Sequence, residues 1–174
     1  MEMRSVYCHL FLEVDFMPSK LTIEITESNF NVADEYRALC KAAPKSGAVV
    51  QFIGLVRDFY EECSQEENIE CLYLQHYAGM TEKLCVEIIE QARQKYPFEA
   101  VRLIHRVGEI NANEQIVFIG VASHHRDNAF KAAQFIMDYL KTRATIWKKE
   151  IGDRGENWIG LKDKDRDAVT RWQA

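Results

Sequence analysis

Two lysines, Lys141 and Lys148, have the residue type and spacing that proton transfer or covalent catalysis requires. On one continuous helix they would share a face about 10 Å apart. The β-branched residues Thr145 and Ile146 indicate that the helix ends first, so a turn could bring the ammonium groups closer. A partly buried lysine beside other cations has a lowered pKa and can act as a general base or nucleophile near neutral pH. Solvated surface lysines would have the same spacing, so the residues alone leave both interpretations open.

A second group of cations lies at the ends of the predicted helix, which His125 and Arg126 begin and Lys141 ends. Cations near a helix C-terminus complement the helix dipole, whereas the dipole does not favour cations at the N-terminus. His125 and Arg126 therefore indicate either an anionic ligand shared with the helix-end N–H groups or a solvated basic patch. The helix is predicted from an apolar stripe at helical spacing, made of Phe130, Ala133, Ile136, Met137 and Leu140.

Arg57 and Lys149 extend the set of candidate anion ligands. Arg57 follows the apolar run of residues 47–56, and Lys149 comes directly after the second lysine of the pair. Arginine carries a planar fork of donors that suits phosphate. His76 and His105 lie in strand patterns, which favours structural roles. No set of His, Cys and carboxylate residues has metal-ligand spacing, so we expect no bound metal.

The composition excludes several function classes. The 174 residues are enough for one ordinary soluble domain, and 22 Lys and Arg against 27 Asp and Glu argue against general nucleic-acid binding. No apolar run is long enough to span a membrane, and residues 1–17 make a poor secretory signal. Five cysteines without a Cys-x-x-Cys pair favour a reducing compartment. We expect a cytoplasmic protein that binds a small anion.

Strand and helix patterns alternate along the chain. Strands are predicted over residues 20–26, 47–56, 69–77, 101–107, 115–122 and 145–151, with a last extended piece from residue 158. Helices are predicted over residues 32–40, from an N-cap at Thr81 to Pro97, after residue 123, and over residues 163–172. Residues 58–68 and 152–157 are predicted loops. The strands near residues 101–122 should pair as a hairpin, which favours an α+β fold with antiparallel or mixed sheets.

Six segments resemble the catalytic large subunit of molybdopterin synthase: Gly54-Leu-Val-Arg, His76-Tyr-Ala-Gly-Met-Thr-Glu, Ile104-His-Arg-Val-Gly-Glu, Ile116-Val-Phe-Ile-Gly-Val, Phe135-Ile-Met-Asp-Tyr-Leu-Lys-Thr-Arg-Ala and Ile146-Trp-Lys-Lys-Glu. They occur in the family's order, and the resemblance spans about residues 21–172. It implies an α/β-hammerhead-like fold. It also implies that residues 20–174 form a single domain, preceded by an N-terminal extension of unknown role, residues 1–19.

The resemblance implies a sulfur transferase of molybdenum cofactor biosynthesis. Such an enzyme converts cyclic pyranopterin monophosphate to molybdopterin by installing two sulfurs as a dithiolene. The sulfur arrives as a thiocarboxylate on the C-terminal Gly-Gly tail of a ubiquitin-like small subunit. The family forms a homodimer of large subunits with a small subunit at each end, a heterotetramer overall. The large subunit need not bind molybdenum itself, and we expect no cofactor.

The resemblance also implies which residues take part in the chemistry. Lys141 and Lys148 match the family's functional lysines, and the matched substrate pocket adds four residues: Arg57, His125, Arg126 and Lys149. Lys141 would meet the thiocarboxylate and assist proton transfer or acyl release. Lys148 would stabilise charge as the cyclic phosphate opens. The sequence does not determine which lysine performs which step.

The chain departs from the family pattern at two positions. Leu55 replaces a residue that is often polar or basic, so any role there must be steric or through the backbone. Thr145 replaces a common proline, which leaves the helix end less firmly specified without touching the proposed chemistry. Two other function classes stay open on the sequence alone. One is a non-catalytic anion-binding module, and the other is a scaffold that has lost activity.

Overall fold

The computed structural model describes residues 12–13, 20–57, 69–153 and 155–173. Within these ranges the strands are β1 (Leu12–Glu13), β2 (Lys20–Thr26), β3 (Ala48–Leu55), β4 (Ile69–His76), β5 (Ala100–Arg106), β6 (Gly108–Asn111), β7 (Gln115–Ser123), β8 (Ile146–Gly152) and β9 (Gly155–Ile159). The helices are α1 (Val32–Ala42), α2 (Met80–Lys95), α3 (Arg126–Arg143) and α4 (Asp163–Thr170).

Two sheets organise these elements. The first has the order β1-β2-β5-β7-β3, and the second has the order β6-β4-β8-β9. Only the β2–β5 pair is parallel among the strand pairs of the described residues. The predicted α+β class with mixed and antiparallel sheets is confirmed, as is the antiparallel pairing of β5 with β7. The sequence did not predict β6, which lies between these two strands and joins the second sheet.

The first sheet is covered on both faces, which explains why β7 is apolar nearly throughout. Val117, Ile119 and Val121 pack with α2 and α3, whereas Ala122 packs with Leu39 of α1. The buried side of α3 consists of Ala129, Ala132, Ala133, Phe135, Ile136 and Leu140. Its small alanines allow the helix to approach the sheet closely.

Three local predictions are wrong. Phe130 does not belong to the buried stripe of α3, because its side chain is 63% exposed. Thr81 lies inside α2 and not at its N-cap. That position is Gly79, whose N–H donates to Glu82 Oε2 at 2.6 Å. The predicted loop at residues 152–157 includes the start of β9, a polar edge strand held by backbone pairing with β8 and not by apolar alternation.

Gly54 lies where two strands approach each other closely. A Cβ at this position would lie 2.7 Å from Val117 Cγ1, and the register with β7 shifts between Gly54 and Leu55. After the shift, Leu55 is exposed and Val56 is buried. Val56 packs with Leu74 of β4, at the junction of the two sheets. The register shift therefore places Val56, the residue before Arg57, at the junction of the two sheets.

The predicted N-terminal extension contributes one described element. Leu12 and Glu13 pair antiparallel with Ile23 and Thr22 of β2, while the rest of residues 1–19 lies outside the described residues. The predicted loop at residues 58–68 also lies outside them. In the described ranges, none of the helices combines the length and the apolar character that crossing a membrane requires.

His105 on β5 is buried, which fits the structural role that its strand pattern favours, and its Nδ1 lies 2.8 Å from the Arg106 carbonyl oxygen. Burial lowers the pKa of its imidazole to about 4, against the opposing effect of the Arg106 hydrogen bond. The positive charges of Lys148 and His76 lower this pKa further. The folded protein therefore holds a neutral imidazole close to the second lysine of the candidate pair.

We predict that this histidine makes the folded protein less stable as the pH falls. His105 binds a proton near pH 6.5 in the unfolded chain and near pH 4 in the folded chain. The stability that the neutral imidazole provides is therefore complete above pH 6.5 and is lost between pH 6.5 and 4. The loss should reach about 3 kcal/mol. Urea unfolding across this pH range measures it. His105→Asn keeps a side-chain N–H donor and should flatten the pH dependence, whereas His125→Asn, at an exposed histidine, should not. Equal slopes in all three proteins would contradict the prediction.

Candidate active site

Lys141 and Lys148 lie on opposite sides of a two-residue turn. Helix α3 ends at Arg143, Ala144 is extended with φ −68° and ψ 132°, and β8 begins at Ile146. Lys141 is in the last helical turn, and Lys148 is the third residue of the strand. The prediction that the helix ends before Lys148 is confirmed.

The turn brings the two ammonium groups within electrostatic reach of each other. Lys148 lies half-buried opposite Leu74 of β4. Burial lowers the pKa of the Lys148 ammonium, and the charge of Lys141 lowers it further. A lysine with a lowered pKa has a larger neutral fraction at physiological pH, so it can accept a proton or act as a nucleophile. Lys148 is therefore the better suited of the two to proton transfer.

Helix α4 contributes an acidic partner that the sequence analysis did not identify. Lys141 Nζ lies 3.3 Å from Asp165 Oδ1, and the Asp165 side chain is only 19% exposed. The Asp165 charge raises the pKa of Lys148, whereas Lys162 lowers it. The sequence predicted α4, but Asp165 resembled any solvated acidic residue of a terminal helix. Its role depends on a contact across 24 residues, which no local pattern indicates.

Glu150 is another residue that the sequence analysis missed. It lies two residues after Lys148 on β8, and alternation along a strand puts both side chains on the same face. Its Oε1 is buried and has no hydrogen-bond partner in the described part of the chain. A buried carboxylate oxygen without a partner is costly, so it favours a donor supplied by a ligand.

Arg57 follows a residue that packs in the same apolar cluster as the start of β8. It is exposed and follows Val56, whose cluster also includes the half-buried Ile146 at the start of β8. An exposed guanidinium beside this junction can bind an anion that reaches the lysines. The predicted association of Arg57 with the site is therefore compatible with the fold.

His125 and Arg126 lie at the opposite end of α3 from Lys141. His125 precedes α3 and Arg126 begins it, and both are exposed. From Arg126 to Lys141 the helix rises ~22 Å. The His125 side chain makes no capping hydrogen bond to α3. These cations are therefore separated from the lysine pair by most of the length of α3.

Lys149 also points away from the lysine pair, because successive residues of a strand face opposite sides of the sheet. Its Nζ lies 2.6 Å from Glu156 Oε2. The same ammonium lies 5.4 Å from the ring centroid of Tyr73 and 5.8 Å from that of Trp158. Within one chain, Lys149 therefore belongs to an aromatic outer surface of the second sheet.

The chemistry of the site follows from these contacts. It combines an ion-paired lysine, a half-buried lysine with a lowered pKa and a buried carboxylate oxygen. The described ranges contain no group of three or more His, Cys, Asp or Glu side chains that could hold a metal ion. The arrangement suits an anionic substrate and proton transfer by an amine.

Comparison with known proteins identifies a matching family. The family described as MoaE protein matches residues 25–143, which is more than half of the chain. The molybdopterin synthase catalytic subunit of Vibrio cholerae is 45% identical over 151 residues, covering 87% of this chain and 97% of that protein. The protein of the same description from Escherichia coli is 45% identical over 143 residues, covering 82% and 92%.

A solved structure supports the fold. The molybdopterin biosynthesis MoaE protein from Burkholderia ambifaria has a TM-score of 0.74 and 38% sequence identity. The match covers 87% of this chain and 97% of that chain. The family resemblance predicted from the six sequence segments is therefore confirmed.

We predict that Asp165→Asn lowers the pKa of Lys148 further, because it removes the carboxylate that favours the charged amine. A ¹³C NMR titration of the lysine Cε atoms measures this change. Asp163→Asn is the matched control, since it removes the same charge from the first turn of α4, where Asp163 pairs with Arg166. Equal shifts in both variants would mean that the charge of α4 acts at long range and that the Asp165 contact has no special effect.

Proposed function

Because the chain belongs to the MoaE family, we propose that it is the catalytic subunit of a molybdopterin synthase. In this proposal it transfers sulfur to cyclic pyranopterin monophosphate and so forms the dithiolene of molybdopterin. The observation that carries the proposal is the lysine pair, Lys141 and Lys148, held across one turn with Asp165 beside it. An anion-binding module without catalysis would not require a half-buried lysine with a lowered pKa.

The two lysines have different surroundings, which supports different roles. Lys141 is the more accessible, with its side chain 42% exposed, and would meet the anionic thiocarboxylate and assist acyl release. Lys148 is half-buried and its pKa is lowered, so it would exchange the proton and stabilise charge as the cyclic phosphate opens. Glu150, with its unpaired Oε1, could accept a hydrogen bond from the pterin.

We propose that the sulfur donor is a small ubiquitin-like partner ending in a Gly-Gly thiocarboxylate. The curated relatives are described as catalytic subunits, which implies an enzyme with a further subunit. A tail that must reach a half-buried amine has to be extended and poor in side chains, and glycines satisfy both requirements. The overall charge of −5 disfavours nonspecific collection of anions, so binding should depend on the tail and a docking surface.

We further propose that two copies of the chain combine to form each substrate pocket. One chain alone places Arg126 ~22 Å along α3 from Lys141, which is too far for both to hold one small pterin. In a two-fold dimer, His125 and Arg126 of one copy can lie beside Arg57 and the lysines of the other. Lys149 could contribute only to an anion that reaches the outer face of β8.

We predict that Lys141→Ala loses nearly all product formation while the fold and the partner complex survive. Lys141→Arg should fail as well if the amine must lose a proton, because arginine stays protonated in proteins. The measurement mixes each variant with the thiocarboxylated small subunit and the cyclic precursor and then assays dithiolene formation. Lys131→Ala is a matched control, since Lys131 is an exposed α3 lysine paired with Asp127.

A second control in this assay is a small subunit without its last two glycines. It should support no sulfur transfer, although its affinity for the catalytic chain should fall much less. Near-normal turnover by Lys141→Ala, or product formation with the shortened partner, would contradict the proposed function.

A further inference from the structure

The turn between the two lysines is tied to a neighbouring turn of the chain. Thr145, the residue before β8, lies beside the connection from β4 to α2. Thr145 Oγ1 is 2.9 Å from Thr81 Oγ1, and Thr81 Oγ1 is also 3.1 Å from the Tyr77 carbonyl oxygen. The Thr81 side chain is fully buried. Thr81 Oγ1 also lies 3.3 Å from the Thr145 carbonyl oxygen. The Thr81 hydroxyl therefore links two segments that are 64 residues apart.

The donors in this link can be assigned from the number of protons. Each hydroxyl has one proton to donate. If Thr81 donates to the Tyr77 carbonyl, Thr145 can donate to Thr81 Oγ1, and both protons are used. If Thr81 instead donates to Thr145 Oγ1, the Thr145 hydroxyl proton has no acceptor in the described residues. In each satisfied arrangement the Thr145 hydroxyl donates to Thr81 Oγ1, and Thr81 donates in turn to the Tyr77 carbonyl or to the Thr145 carbonyl.

The sequence predicted no part for Thr145 in the chemistry, but this contact gives it one. We propose that Thr145 is a positioning residue that fixes Lys148 relative to Lys141 through its hydrogen bond to Thr81. The inference rests on the proposed function of the two lysines. The turn has only Ala144 and Thr145 between helix and strand, so any displacement of Thr145 is passed to the start of β8. Lys148 follows three residues later.

Helix α2 is a suitable anchor for this bond because a second contact holds it to the other side of the turn. Arg143, the last residue of α3, donates to Gln91 Oε1 at 2.9 Å and lies 3.6 Å from Glu87 Oε2. Arg143 therefore ties the lysine-bearing end of α3 to α2, and the Thr145 hydroxyl ties the start of β8 to the same helix. Both sides of the turn are therefore held to α2, which fixes the separation of the two lysines.

The test compares Thr145→Val with Thr145→Ser, which keeps the hydroxyl. We expect the valine variant to lose ~10- to 100-fold in kcat, the scale that small misplacements of reacting groups produce. The serine variant should retain most of the activity. Thr142→Val is the matched control, because the Thr142 hydroxyl donates within α3, to the Asp138 and Tyr139 carbonyls, and does not bridge elements.

A double-mutant cycle identifies the partner. Thr81→Val should lower kcat at least as much as Thr145→Val, because it also removes the contact with the Thr145 carbonyl. The double variant should be no worse than Thr81→Val, because Thr145→Val removes an interaction that Thr81→Val has already removed. Thr145→Ala replaces Thr145→Val if the valine variant does not fold. Fully additive losses in folded variants would overturn the proposal.

A second readout separates positioning from the proposed function. A ¹³C NMR titration should show the pKa of Lys148 rising towards its ordinary value in Thr145→Val, and staying lowered in Thr145→Ser and Thr142→Val. This measurement needs neither substrate nor turnover. An unchanged Lys148 titration together with unchanged kcat in Thr145→Val would overturn the positioning role. A shifted titration with unchanged kcat would support the positioning role and contradict the proposed role of Lys148.

Discussion

Two positive charges held close together across a two-residue turn are the constraint that the rest of this site must satisfy. Repulsion from Lys141 and burial both disfavour the charged form of Lys148, which lowers its pKa. Asp165 opposes this effect while pairing with Lys141. The site therefore needs the helix end, the strand and α4 in a defined arrangement, because small displacements change how strongly these charges interact.

The fold provides this arrangement by placing the connection from α3 to β8 beside the connection from β4 to α2. The first sheet and α2 hold α3 from one direction, and β4 of the second sheet holds β8 from the other. The neutral, buried His105 on β5 fills the space near Lys148 without adding a charge. Gly54 and the register shift after it bring Arg57 to the same junction. The catalytic proposal thus depends on where the two sheets meet, and neither sheet alone provides the site.

The sequence predicted what local patterns control, namely the α+β class, the end of α3 before Lys148 and a structural role for His105. It did not predict contacts between distant segments. Asp165 and the Thr81–Thr145 bond depend on separations of 24 and 64 residues, and β9 depends on backbone pairing with β8. Local spacing placed Arg126 and Lys141 at opposite ends of one helix, but it could not show which other segments of the chain lie beside each end.

The most direct test of the central claim, that each active site combines the lysine pair of one copy with Arg126 of another, is turnover by mixed dimers. Lys141→Ala and Arg126→Ala chains should each be nearly inactive alone. In a mixed dimer one of the two shared sites regains both native residues, so random pairing should restore about one quarter of wild-type activity. Activity that stays at the level of the separate variants, in samples shown to contain mixed dimers, would contradict the account.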